Sequence, residues 1–181
     1  MTLQFDDFEI NPIHSGDAWK LCDFMVANED RFKRYFPGTL AENATPTLAK
    51  LFTEKKVKQL EKKEEYLFTL KHSKTRELVG IIYIKELDHT IKQGEFAYCI
   101  GYPFKGKKLI TNAVKLLSEY AFNHLDIKTL QIIAHKDNLP SVNVALNNGF
   151  VWQKTLEKEF TPTNESPLDM ELYELYRPSR F

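Results

Sequence analysis

Residues 94–134 leave this chain little topological freedom. A long amphipathic helix lies there between two strands. Leu109, Ile110, Ala113, Val114, Leu116, Leu117, Tyr120 and Ala121 form one broad apolar arc, opposed by Lys115, Ser118 and Glu119. Before it, Gly94 to Gly101 alternates, with Phe96, Tyr98 and Ile100 on one face. After it, Leu130 to Ala134 reads as a further strand. A strand, a helix and a strand in that order require a crossover, and so a parallel strand pair inside the sheet.

The rest of the chain supplies that sheet. Phe5 to Ile13 reads as a first strand, and Ser15-Gly16-Asp17 offers caps for a helix carrying Trp19 to Val26. A short helix is expected over Glu29 to Phe36, ended by Pro37-Gly38. Thr45-Pro46 opens another, with Leu48, Leu51 and Phe52 on one face and Val57 and Leu60 on a second. Its Lys/Glu-rich run from Glu54 to Glu65 reads as solvated surface. Period-two alternation of Tyr66, Phe68 and Leu70 then marks a strand, and Leu78 to Ile84 reads as a strong strand. Ser141 to Asn148 is a short helix stopped by Gly149, and Val151 to Phe160 with Asp169 to Tyr176 forms a closing strand pair. The fold class is α/β, a mixed and mostly antiparallel central sheet flanked by helices, in a single domain over 1–181.

The turn into the long helix breaks a local rule. Phe104-Lys105-Gly106-Lys107-Lys108 crowds three lysines at a helix N-terminus, where the macrodipole disfavours cations. A bound polyanion resolves that conflict, because phosphate favours both the free N–H groups and the lysines. A solvated basic turn is the plain alternative.

Bulk properties narrow the field. Lys plus Arg and Asp plus Glu are 25 each, which calls for neither nucleic acid nor an anionic membrane as partner. Cys22 and Cys99 lie far apart without metal-ligand spacing, so no metal site is expected, and two buried thiols in a reducing compartment are. No run is apolar enough to cross a bilayer and no signal peptide is indicated, so a soluble, cytoplasmic protein is expected.

The order of elements, with the basic glycine turn, resembles the Gcn5-related N-acetyltransferase (GNAT) superfamily, and within it the ribosomal-protein N-terminal (RimJ/RimL-type) acetyltransferases. Three stretches carry the resemblance: Gly94-Glu95-Phe96-Ala97-Tyr98-Cys99-Ile100, the turn Phe104 to Lys108 with Leu109 to Ala113, and Asp137-Asn138-Leu139-Pro140-Ser141 followed by Asn148-Gly149-Phe150. It departs from the family pattern at Pro103, Lys108 and Asn112. Pro103 removes one backbone donor, and Lys108 adds bulk and charge where a small residue is usual.

The resemblance implies a splayed parallel strand pair and acetyl-CoA as co-substrate. Lys105, Gly106, Lys107, Lys108 and Leu109 would hold the pyrophosphate. Backbone groups of Cys99, Ile100 and Gly101 would meet the pantetheine arm and the thioester oxyanion. Asn138 would contact the arm, and Ser141 would stabilise or protonate the departing thiolate. Helix capping alone also accounts for both residue types. Two carboxylates compete as general base, Glu159 ahead of Glu95, with Glu157 near enough to confuse the assignment. Phe32, Tyr35 and Phe36 would shape the acceptor pocket, though ordinary core packing explains them equally well. The implied acceptor is a primary amine, first a protein N-terminus, with a polyamine or other small amine as alternative. A CoA-binding module without turnover is the non-enzymatic alternative. The oligomeric state stays open between monomer and homodimer.

Overall fold

A computed structural model describes residues 1–179 of the chain. Its strands form one eight-stranded sheet in the order β1-β2-β3-β4-β5-β6-β8-β7. The expected first strand is a hairpin, β1 (Leu3–Phe5) and β2 (Phe8–Pro12), because Asp6 takes a positive φ and turns the chain. Helix α1 (Ala18–Ala27) follows, then α2 (Glu29–Phe32) and α3 (Pro37–Ala41). Pro37 thus opens a helix rather than ending one, since its missing N–H costs nothing in a first turn.

Helix α4 (Pro46–Glu61) begins as expected, with Thr45 Oγ1 accepting the N–H of Leu48 at 3.3 Å. Its buried stripe differs from the expected one. Ala49, Phe52, Thr53 and Lys56 face inward, at i, i+3, i+4 and i+7, while Leu48 and Leu51 are exposed. Two polar residues can lie there because each is partnered. Thr53 Oγ1 donates to the Ala49 carbonyl at 2.7 Å, and Lys56 Nζ meets Glu65 at 2.5 Å. The Lys/Glu run is therefore not wholly solvated.

Strands β3 (Tyr66–His72), β4 (Leu78–Asp88) and β5 (Gln93–Ile100) lead to α5 (Leu109–His124) and β6 (Thr129–Ala134). Along α5 the apolar arc packs as the sequence indicates, except that Ser118 is buried and donates to the Val114 carbonyl at 2.7 Å. Then come α6 (Leu139–Asn147), β7 (Val151–Phe160) and β8 (Leu168–Tyr176). Gly149, at φ +77°, ends α6 in a Schellman motif. Its N–H reaches the Leu146 carbonyl and that of Phe150 reaches Ala145. That geometry buries Phe150 and launches β7.

The core has two layers. On one face of the sheet, α5 packs Ile110, Val114 and Leu117 against Phe68, Ile82, Phe96 and Ile132. On the other, Leu21, Phe24 and Met25 of α1 and Phe52 of α4 cover Leu67, Ile81, Tyr83 and Cys99. Strands covered on both faces read as nearly continuous apolar runs, which is why β4 stands out in the sequence.

Every neighbouring strand pair is antiparallel except β5–β6. That pair is short. It runs from Gln93↔Thr129 to Phe96↔Ile132 and stops. Beyond Phe96, β5 pairs with β4 alone, while β6 continues against β8. The sheet is therefore split open at the C-terminal ends of the parallel β5–β6 pair.

Candidate active site

A cavity of about 890 Å³ fills that split. Its walls come from segments distant in sequence: Glu95, Ala97 and Tyr98 on β5, Asn138 and Ser141 at the start of α6, and Glu159 and Phe160 at the end of β7. Tyr35 and Phe36 close one side, and Lys56, Glu65, Tyr83 and Lys85 form the floor.

Glu95 and Glu159 differ in setting. Lys85 Nζ lies 3.0 Å from Glu95 Oε1. Burial raises the Glu95 carboxyl above its ordinary range, Lys85 pulls it back, and the charges of Glu86 and Glu159 add to the rise. Glu159 is exposed and has no hydrogen bond or ion pair with a described residue. A bulge in β7 aims it: the β7–β8 register breaks between Leu156 and Phe160, and Lys158 takes φ +51° with its N–H on Asp169 Oδ1 at 2.8 Å. Glu157, its rival in sequence, does not line the cavity. Phe160 stacks on Tyr35 at 5.9 Å, which ties the end of β7 to the segment after α2.

The α6 start separates two roles that sequence left open. Asn138 occupies the N-cap position, yet its side chain makes no capping hydrogen bond. The Ser141 hydroxyl does not cap either; Tyr98 Oη lies 2.9 Å from it. Both side chains line the cavity. His135 Nδ1 accepts the Asp137 N–H at 3.3 Å, which turns that nitrogen toward its own loop.

The upper end of β5 is partly occupied. The Gly101 N–H donates to the Val79 carbonyl on β4 at 2.8 Å. Hydrogen-bonding directions alternate along an antiparallel strand, so the Ile100 N–H points away from β4, into the split. The Ile100 carbonyl accepts Arg31 Nη1 at 2.9 Å. Cys99 faces the α1 layer, and burial pushes its thiol far above the ordinary range, which leaves it an inert thiol.

The basic turn lies outside the cavity, at the head of α5. Gly106 takes φ +78°, and Lys108, the N-cap residue, takes φ +58° in the left-handed region. No side chain caps the helix. Its opening N–H groups therefore keep no intrahelical partner. Lys105, Lys107 and Lys108 are exposed and form no ion pair with a described residue. Lys107 rests over the Phe104 ring at 5.2 Å. Leu109 is buried and anchors the turn. A diphosphate fits here: the helix offers N–H groups, and three cations stand beside it unneutralised.

Phe32 is placed elsewhere. It is 3% exposed, sits in the α1-side core and packs on Phe24 at 5.3 Å, so it supports Phe36 rather than lining the cavity. Sequence reasoning passed over Tyr98, Lys56 and Arg31. Tyr98 reads as one of three apolar positions on β5 and Lys56 as part of a solvated run, and no local pattern singles out Arg31. The one available signal was Lys56 sharing the inward stripe with Ala49, Phe52 and Thr53. Among the described residues no His, Cys, Asp and Glu side chains converge as a metal site requires, and no helix is long and apolar enough to cross a membrane.

The model of the acetyltransferase (GNAT) domain matches residues 7–151 of this chain. The spermidine N(1)-acetyltransferase of Escherichia coli (strain K12) is 31% identical over 84 residues, 46% of this chain and 45% of that protein. The alignment thus spans less than half the length of that relative. The ribosomal-protein-serine acetyltransferase of the same strain is 29% identical over 101 residues, 55% of each chain. The solved structure of a ribosomal L7/L12 α-N-protein acetyltransferase in complex with coenzyme A superposes with a TM-score of 0.88 at 14% identity, over 97% of this chain and 98% of that one.

Proposed function

We propose, because the chain belongs to the GNAT acetyltransferase family, that it moves the acetyl group of acetyl-CoA directly to a primary amine. One observation carries this reading: Glu159, Glu95, Asn138 and Ser141 share a cavity that opens where β5 parts from β6, next to an uncapped cationic helix terminus.

The residues divide the chemistry. The N–H groups at the head of α5, with Lys105, Lys107 and Lys108, hold the diphosphate. Asn138 meets the pantetheine arm. Glu159 takes the proton of the incoming ammonium, a role worth roughly 10²- to 10⁴-fold in rate. The Ile100 N–H, directed into the split, steadies the oxyanion. The Ser141 hydroxyl stabilises the sulfur as it leaves. Glu95, held by Lys85, stands second in line as base.

The acceptor we favour is a protein α-amino group, in keeping with the ribosomal-protein relative. A second reading, a polyamine, draws on the spermidine relative and on the cavity's charge, five carboxylates (Glu42, Glu65, Glu86, Glu95, Glu159) against two lysines. Radiolabelled acetyl-CoA is offered with a free-N-terminal peptide, the same peptide N-blocked, and spermidine. Label on the free peptide alone supports the first reading, and label on spermidine alone the second. Coenzyme binding without transfer to any amine leaves a coenzyme-binding module.

A further inference from the structure

Ser141 and Tyr98 come from different parts of the chain, α6 and the parted end of β5, yet their hydroxyl oxygens are 2.9 Å apart. Tyr98 Oη also lies 3.3 Å from the Ser141 carbonyl oxygen. The pair faces the cavity, on the wall where the departing sulfur is expected.

Either oxygen can donate across the 2.9 Å contact, but a phenol is the stronger donor and an aliphatic hydroxyl the better acceptor. A phenol has one hydrogen to give, and here it has two acceptors, of which Ser141 Oγ is the nearer. Burial drives the Tyr98 phenol far above its ordinary range, so it keeps its proton throughout the working pH range. When Tyr98 donates to Oγ, the serine's own hydrogen cannot point back along the same line. It must rotate away, and the open side is the cavity.

We propose that Tyr98 is a positioning residue for acetyl transfer, its hydroxyl donating to Ser141 Oγ and so directing the Ser141 O–H toward the leaving sulfur. This inference rests on the function proposed above and deepens it. The C–N bond forms and the C–S bond breaks. Glu159 passes the ammonium's first proton to solvent and takes the second as the amide forms, and the sulfur leaves with the electron pair. Ser141 lends a hydrogen bond to that charge and keeps its proton, since its loss would have to be made good by a buried phenol that resists ionising. The thiolate takes its proton from solvent after departure.

A plain structural role for Tyr98, satisfying its own buried hydroxyl, gives different results. The test is a double-mutant cycle of Tyr98→Phe and Ser141→Ala, read as kcat and KM for acetyl-CoA, with melting temperature and calorimetric coenzyme binding as controls. Each single variant should lose kcat by roughly tenfold to a hundredfold, within the range for losing one donor to developing charge. KM should hardly move, and the double variant should be no slower than Ser141→Ala alone. Additive losses overturn the inference, because Tyr98 then acts independently of Ser141. A silent Tyr98→Phe beside an impaired Ser141→Ala also overturns it, while the proposed function stands. Wild type that transfers to no amine removes the proposed function itself. Should the Phe variant fail to fold, NMR of ¹³C-tyrosine-labelled protein decides the point. A Tyr98 hydroxyl proton that shifts in Ser141→Ala supports the hydrogen bond, and one that does not shift refutes it.

Discussion

The basic turn at the head of α5 and the cavity in the split sheet are built on opposite principles. The turn is contiguous in sequence, exposed and electrically unbalanced: three lysines stand around an uncapped helix end without an ion pair among the described residues. The cavity is assembled from segments scattered between Tyr35 and Met170, and most of its charges are already matched, Lys85 by Glu95, Lys56 by Glu65 and Glu42 by Lys55. The turn is suited to gripping a highly charged ligand from solvent. In the cavity, Glu86 and Glu159 form no ion pair with a described residue, and of the two Glu159 is the base we propose.

Glu159→Gln should break that contrast most sharply. We expect kcat to fall by roughly 10²- to 10⁴-fold with the acetyl-CoA KM little changed, measured by steady-state transfer to the best amine. Charge reversal in the turn should show the converse pattern. Lys107→Glu with Lys108→Glu should raise the acetyl-CoA KM by about tenfold or more while kcat at saturation survives, with calorimetric CoA binding weakened in parallel.

Lys85→Met probes which carboxylate is the base. Lys85 lowers the Glu95 pKa against the effect of burial, so removing it moves Glu95 further up. A base of raised pKa loses activity sooner on acidification. With Glu159 as base, the acid limb of kcat/KM should stay within about half a pH unit and the rate fall only a few-fold. An upward shift of a full unit or more transfers the role to Glu95. The smallest effect is expected at Thr45→Ala, remote from both regions. Loss of its cap should cost about 1 kcal/mol of stability, seen in denaturant melts, and leave kcat and KM unchanged.

Much of the fold was legible. The arc from Leu109 to Ala121 and the flanking strands required a crossover, and β5–β6 is the parallel pair it produces. The site was legible in parts. Gly106 and its lysines announced themselves by breaking a helix-terminus rule in consecutive residues. The stripe on α4 was misread because Thr53 and Lys56 look solvent-bound until Ala49 and Glu65 supply their partners. Pro37 was read as a stop because a proline ends one helix and begins another with equal ease.

The sequence by itself determined the periodic elements, their order, the crossover and the cationic turn, because each depends on side chains a few residues apart. Tertiary structure alone decided that Glu159 and not Glu157 lines the cavity, that Phe32 is core, and that Tyr98 meets Ser141. Those outcomes depend on a bulge, a register and the packing of α6 beside β5. Such long-range arrangements are fixed when the whole sheet closes around its core, so no short stretch of residues encodes them.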